Sequence, residues 1–247
     1  MYKVLQQLIH FILPRKVFFK SELVLRRLLY LGYRGHTFTC TVCGKGLRTF
    51  ITGKNGNLLC PNCGSLPRNR RLWQLLETEF LRPGIHILDF SPSRCLYRKL
   101  KKVPQIKYTA TDLSNDFIAD TQYDITHMAA PDDQFDLIIC YHILEHVIDD
   151  IKAMQELYRV LKPNGKILIQ TPFQEGSIYE DYSITSAEER LKHFGQEDHV
   201  RVYSVSGLRE RLEQSGFEVD VRTHFEENTV NGLNAQETVL VVTKKMP

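Results

Sequence analysis

The sequence predicts an α/β chain: a doubly wound sheet with helices on its faces, preceded by a small cysteine module and amphipathic helices. Three observations predict it. The apolar run FDLIICY (Phe135–Tyr141) is followed by an amphipathic stretch, a Pro-Asn-Gly break and a second apolar run ending at Gln170, the strand-helix-strand order of a βαβ unit. Two more short apolar strands lie upstream and end on Asp89 and Asp112. Four of the six cysteines form two Cys-x2-Cys pairs outside this pattern. A chain of 247 residues has room for one α/β domain and an accessory module, here expected as 1–35 (basic helical segment), 36–66 (cysteine module) and 67–247 (α/β domain).

The N-terminal segment is basic. Residues 1–35 hold seven Lys or Arg against Glu22, a charge of 7 − 1 = +6, so a whole-chain charge of +3 leaves 3 − 6 = −3 for the remainder. Val4–Leu13 and Ser21–Leu31 both alternate apolar and basic residues at helical spacing around Pro14. Cationic amphipathic helices suit an anionic membrane surface, where each Lys or Arg adds about 1 kcal/mol. They suit equally a partner, a second copy, or the chain's own sheet. No run reaches the roughly 18 apolar residues of a membrane span, and Pro14-Arg15-Lys16 follows the short apolar stretch where a small-residue cleavage site would stand. The expected compartment is therefore the cytoplasm, with peripheral contact at the inner membrane face through residues 1–35.

Cys40-x2-Cys43 and Cys60-x2-Cys63 are separated by sixteen residues. Each pair places two thiolates on adjacent corners of a tetrahedron, and Asn55-Gly56 between them is a hairpin signal that returns the chain. Gly44 and Gly64 follow each pair, where a tight knuckle needs positive φ. In a reducing compartment this reads as a zinc ribbon rather than two disulfides, and a closed four-thiolate shell makes the zinc structural. Cys95 and Cys140 read as buried or site-lining residues.

Pro67–Arg82 carries apolar residues at helical spacing and ends at Pro83-Gly84. Strands follow at Ile85–Phe90 and Lys107–Thr111. Asp112 lies 23 positions after Asp89, close to the spacing at which an acidic residue meets a ribose in dinucleotide-type sites. After Phe135–Tyr141 come the polar residues Tyr141, His142, Glu145 and His146, at the carboxyl edge where such sheets bind ligands. The next helix, Asp149–Lys162, is expected to bury Ile151, Met154, Tyr158 and Leu161 and to stop at Pro163-Asn164-Gly165. A helix at Ser206–Ser215 and strands at Phe217–Val221 and Thr238–Thr243 complete the domain. Between them Thr171–Val202 is dense in titratable groups, a lid-like stretch suited to polar recognition.

The segments FDLIICYHILEH and RVLKPNG closely resemble the fourth and fifth motifs of class I S-adenosylmethionine-dependent methyltransferases, with a type 11-like domain. The resemblance covers about residues 70–247. It implies a Rossmann-like seven-stranded sheet closed by an antiparallel hairpin, and three acidic roles. Asp89 supports the loop around the methionine moiety, Asp112 accepts from the ribose hydroxyls, and Asp124 takes the adenine amino group. Leu113 and Ile125 then flank the adenine ring, and Ser91 and Tyr141 complete the cofactor-binding set. The loop after the first strand, Phe90-Ser91-Pro92-Ser93-Arg94-Cys95, departs from the family in having no glycine. The chain is similar in this to a subgroup of bacterial methyltransferases with zinc knuckles.

The function implied is methyl transfer to a hydroxyl or amine of a small molecule or glycan, with S-adenosylmethionine as cofactor and zinc as a structural metal. Such acceptors need a base, and histidine is best poised near neutral pH. His142 and His199 are the catalytic candidates. Two alternatives stand beside this reading: RNA methylation, favoured by the basic ribbon flank (Arg68, Arg70, Arg71), and a cofactor-binding scaffold without transfer activity.

Overall fold

The computed structural model describes residues 15–53, 56–114, 116–226 and 229–245. The predicted helix Val4–Leu13 and the turn residue Asn55 lie outside them. The chain divides into two compact units, Met1–Thr78 with Glu226–Ala235, and Glu79–Phe225 with Gln236–Pro247.

The first unit opens with helix α1 (Arg15–Leu31), which leaves Val24, Leu25, Leu28 and Leu31 exposed. Strands β1 (Arg34–Thr39) and β2 (Gly46–Leu47) pair antiparallel around the first cysteine pair, and β3 (Ile51–Thr52) and β4 (Leu58–Leu59) pair antiparallel before the second. Helix α2 (Pro67–Leu75) follows, with proline at its first turn where the missing N–H costs nothing. Its continuation, Leu76–Phe80, widens to π-helical geometry.

The interior of this unit is organised by Arg70, which is wholly buried. Its guanidinium donates to the Ser65 carbonyl (2.7 Å), the Leu58 carbonyl (2.8 Å) and the Gly232 carbonyl, and lies 4.4 Å from the Phe50 ring centroid. Arg70 is therefore no part of a basic surface for RNA.

The second unit is built on a six-stranded sheet. Its parallel part comprises β5 (His86–Phe90), β6 (Lys107–Thr111), β7 (Phe135–Tyr141) and β8 (Leu161–Gln170), with helices α3 (Arg94–Leu100) and α4 (Asp150–Val160) in the crossovers. A smaller sheet is made by β9 (Phe173–Gln174), β10 (Tyr179–Glu180) and β11 (Arg201–Ser204), with α5 (Ala187–Phe194) between the last two. Helix α6 (Val205–Gln214) leads to the antiparallel pair β12 (Phe217–Phe225) and β13 (Gln236–Lys244). The large sheet runs β12-β13-β8-β7-β5-β6, with β13 antiparallel to β8. Every residue of β5 is buried, as expected for a central parallel strand covered on both faces.

Three expectations are corrected. The large sheet has six strands among the described residues, not seven. Between β6 and β7 the described residues make isolated bridges only, Thr111 to Thr121 and Asp124 to His127. Asp120 accepts the Ala110 N–H through its carboxylate (3.0 Å), taking a donor that a further strand would use. Helix α4 ends at Val160, because a residue before proline avoids α geometry; Pro163-Asn164-Gly165 lies inside β8, with Asn164 left-handed at φ 61°. Its buried face is Ala153, Met154, Leu157 and Val160, so Ile151 is exposed and Leu161 starts the strand. The main core joins α4, α6 and the faces of β7, β8 and β13 around Phe135, Ile138, Leu157, Ile167 and Leu240.

Candidate functional site

The four cysteines of the first unit converge. Two knuckles repeat one hydrogen-bond pattern: Gly44 N–H to the Cys40 carbonyl (2.8 Å) and Gly64 N–H to the Cys60 carbonyl (2.9 Å), with both glycines at positive φ (68° and 79°). The sulfurs lie within 4.8 Å of one another, Cys40 to Cys63 at 3.7 Å and Cys43 to Cys60 at 3.8 Å. A zinc–sulfur bond of about 2.3 Å in a tetrahedron sets sulfurs about 3.8 Å apart. The donor set fits zinc in number, chemistry and spacing. Four thiols this close do not ionise alike: hydrogen bonding with Cys43, Cys60 and Cys63 pulls the Cys40 thiol down, and its bond to Cys40 pushes Cys63 up. The Ser65 hydroxyl lies 3.2 Å from the Cys40 sulfur and 3.3 Å from that of Cys63, an outer contact between the thiols and Arg70.

In the second unit the polar residues gather after β5, β6 and β7. Asp89 is 2% exposed and accepts the Tyr108 hydroxyl at 2.9 Å. Burial pushes its carboxyl up to about 7, against the opposing pull of that hydrogen bond. Ser91 follows in the left-handed region at φ 44°, with its N–H on the Thr111 carbonyl (2.7 Å). It adopts the conformation that glycine takes most readily. Its hydroxyl donates to Asp112 Oδ1 at 2.7 Å.

Asp112 is 3% exposed and lies directly after β6. Its second oxygen accepts from the Ser114 hydroxyl (3.1 Å) and the Phe117 N–H (3.2 Å). Leu113 beside it is 55% exposed. Asp124 is exposed, and the Thr126 N–H (2.8 Å) and hydroxyl (2.7 Å) on its Oδ1 lower its pKa. Ile125, expected beside an adenine ring, is a buried member of the main core cluster. Tyr141 ends β7, in register with Gln170 of β8.

The turn after β7 is sharp: His142 is left-handed at φ 55°, and its N–H donates to the Gln170 carbonyl (2.8 Å). Its Nδ1 is 3.2 Å from Glu145 Oε1, while its Nε2 is buried with no hydrogen-bond partner. Glu145 is 1% exposed. Burial pushes its carboxyl up, but the bond and charge of His142, a backbone hydrogen bond and His146 outweigh it, and the pKa falls. His199 comes to the same place from the lid. It is 3% exposed, its Nδ1 is 3.2 Å from the Phe194 carbonyl, and its ring stands edge-on to that of His146 at 4.6 Å. Burial and then the charge of His146 lower its pKa.

Both histidines expected as bases are thus joined through Glu145 and His146, neither of which the sequence reading placed in the catalytic or binding set. Arg201 was read only as a lid residue. It is wholly buried, bonds to Glu180 (2.9 Å), and donates to the carbonyls of Leu144 (3.1 Å), Val147 and Ile148 (2.8 Å). It fastens the turn that carries Glu145 and His146. Nothing in the local sequence marks that role.

A family model described as "Methyltransferase domain" matches residues 66–221, well over half of the chain. Demethylmenaquinone methyltransferase of Listeria monocytogenes is 30% identical over 116 residues, 46% of this chain and 44% of that protein. The ubiquinone/menaquinone biosynthesis C-methyltransferase UbiE of Hydrogenovibrio crunogenus is 28% identical over 120 residues, 40% of this chain and 47% of that protein. The chain spans less than half the length of these curated relatives. Among solved structures, the [4+2]-cyclase SpnF superposes with a TM-score of 0.54 at 14% identity, covering 92% of this chain and 94% of that one. The YcgJ protein from Bacillus subtilis gives 0.52 at 15% identity, covering 72% and 100%. Both share the fold. Among the described residues no helix is long and apolar enough to cross a membrane.

Proposed function

Since the chain belongs to the class I S-adenosylmethionine-dependent methyltransferases, we propose that it transfers a methyl group to a hydroxyl or amine of a small molecule or glycan, with a structural zinc in the four-cysteine module. The observation that carries the reading is Asp112: a nearly buried carboxylate after β6 whose oxygens are held by the hydroxyls of Ser91 and Ser114 and the N–H of Phe117. A fixed anionic acceptor is what a ribose diol requires, since both hydroxyls donate and charge strengthens the bonds. Ser91, with its left-handed backbone, supplies the close turn that a glycine would otherwise give, which answers the glycine-free loop. Asp89, Leu113, Asp124, Ile125 and Tyr141 complete the proposed cofactor-binding set.

The cofactor, when bound, supplies a methyl already activated on a sulfonium, so the protein's work is alignment and proton removal. His142 suits the second task. With the Nδ1 proton shared with Glu145, the Nε2 lone pair is left to accept a proton from the acceptor. His199 is the second base candidate. Relatives named demethylmenaquinone methyltransferase and ubiquinone/menaquinone biosynthesis C-methyltransferase favour a second reading, with carbon as the atom methylated.

The experiment is calorimetric titration of zinc-replete protein with S-adenosylmethionine and S-adenosylhomocysteine, beside Asp112→Ala. Hydrogen bonds to a charged group contribute about 1.5–3 kcal/mol, so the variant loses roughly tenfold to a hundredfold in affinity. Labelled-methyl transfer to glycan, amine, phenol and RNA panels then assigns the acceptor. A well-folded wild type that binds neither compound removes both methyl transfer and the cofactor-binding scaffold. One that binds them but transfers to no panel member leaves the scaffold without transfer activity.

A further inference from the structure

We propose that Glu145, His146 and His199 form a second metal site, for a divalent first-row transition-metal ion. One donor atom from each residue lies within 4.8 Å of the others. All three belong to the second unit, and none of the cysteines takes part. Two imidazoles and one carboxylate suit zinc, iron, cobalt or nickel rather than magnesium or calcium, which take oxygen donors.

The hydrogen bonds around the cluster carry the inference. His199 Nδ1 lies on the Phe194 carbonyl at 3.2 Å, which requires the proton on Nδ1 and leaves the lone pair on Nε2. That Nε2 is buried with no hydrogen-bond partner. His146 Nδ1 lies 3.2 Å from Asp198 Oδ2 as an ion-pair contact, close enough for that carboxylate to orient a metal-bound ring. Glu145 Oε1 is engaged by His142, and Oε2 is buried without a partner. Each residue therefore has one atom fixed from outside and one donor atom left over. Ring packing of His146 against His199 does not account for the leftover donors. A buried polar atom without a partner costs about 1–3 kcal/mol, and here there are two in one cluster. A single cation meets both.

Metal bonds to nitrogen and oxygen of about 2.1 Å place donors about 3.4 Å apart in a tetrahedron, so donors no more than 4.8 Å apart need to close by at most about 1.4 Å. His146 is half-buried and can supply that movement. Three protein donors leave a coordination position open to water or to a donor atom of a bound molecule. The inference concerns binding of the ion alone and does not depend on methyl transfer.

The test is cobalt(II) binding to the full chain loaded with a single equivalent of zinc, which the four-thiolate module takes first, followed by visible absorption and by metal content after gel filtration, in wild type, His146→Gln and Asp198→Asn. Cobalt in the four-cysteine module gives thiolate-to-metal charge transfer in the near ultraviolet; cobalt in the new site gives visible bands without it. Wild type should take up one cobalt of the second kind. His146→Gln should lose it, and Asp198→Asn, a substitution at an exposed side chain, should weaken it by about 10- to 100-fold through loss of the outer carboxylate contact. Circular dichroism checks that each variant is folded. Folded wild type with no cobalt of the second kind overturns the proposal, as does His146→Gln binding cobalt as tightly as wild type.

Discussion

Asp89 is the most informative single carboxyl to alter, because its environment converts directly into a pH dependence. Its side chain is 2% exposed, and the Tyr108 hydroxyl at 2.9 Å is the hydrogen bond that favours its charged form. Burial outweighs that bond and lifts the pKa from 3.8 to about 7. The folded chain therefore holds this proton more tightly than the unfolded chain, and where the folded state binds more protons, stability falls as pH rises. The contribution is fully present below about pH 4 and is lost progressively until about pH 7, after which it is flat. At about 1.4 kcal/mol per pH unit, the whole window amounts to about 4 kcal/mol. Asp89→Asn keeps an acceptor for Tyr108 and removes the titration. Urea unfolding of both zinc-loaded proteins, at half-unit steps from pH 4.5 to 8.5 (about four units, chosen to bracket the window), gives the difference directly. The stability of wild type relative to the variant should decline between about pH 4.5 and 7 by a few kcal/mol and then level off. A difference that stays constant across the range would refute the assignment of a neutral, buried Asp89.

Three further outcomes are expected. Removing zinc with a chelator, or Cys40→Ser, should abolish the metal content of the module and open residues 40–66 to proteolysis, since structural zinc of this kind stabilises small modules by about 10–16 kcal/mol apparent. Gly232→Ala should destabilise the first unit by about 1 kcal/mol or more, read from its thermal unfolding: Gly232 sits at φ +59°, and an added Cβ would lie 2.5 Å from the Phe50 ring. Arg201→Met should lower stability in urea by roughly 3–5 kcal/mol, because it leaves the carbonyls of Leu144, Val147 and Ile148 without their buried donor and Glu180 with Arg211 alone.

The sequence showed those features whose physics is local. Two Cys-x2-Cys pairs with glycine after each are enough to bring four sulfurs together, and they do. The strand ends near Asp89, one residue before β5 stops, and at Asp112, directly after β6, were legible because an apolar run with a sudden charge marks the end of a strand. The missing seventh strand was not legible, since it depends on where the Asp120 carboxylate goes. Nor was the end of α4. The dipeptide Leu161-Lys162 has helical propensity, and the constraint from Pro163 acts backwards on it. The histidine cluster escaped for a different reason. Glu145 and His199 meet only after the lid folds back, through the Val200 N–H on the Glu145 carbonyl (2.9 Å). No periodicity encodes that contact.

Arg70 and Arg201 show why charged residues were the hardest to place. Each is wholly buried, in a different unit, and each gathers several carbonyl groups: Leu58, Ser65 and the distant Gly232 for Arg70, and Leu144, Val147 and Ile148 of a single distant turn for Arg201. Guanidinium suits this task because it is always charged and offers five donors in a fixed plane. Desolvating it costs several kcal/mol, which is recovered only when nearly every donor is met. Arg201 meets that condition with the help of Glu180 and stands 3.8 Å from Asp150. Asp150 also receives the Tyr203 hydroxyl at 2.5 Å and Arg211 at 2.7 Å. The turn holding Glu145 and His146 is therefore fixed by a polar network in addition to the apolar packing of Ile143, Leu144 and Val147. Such a network tolerates few alternative geometries, which is the requirement for holding reactive side chains in one arrangement.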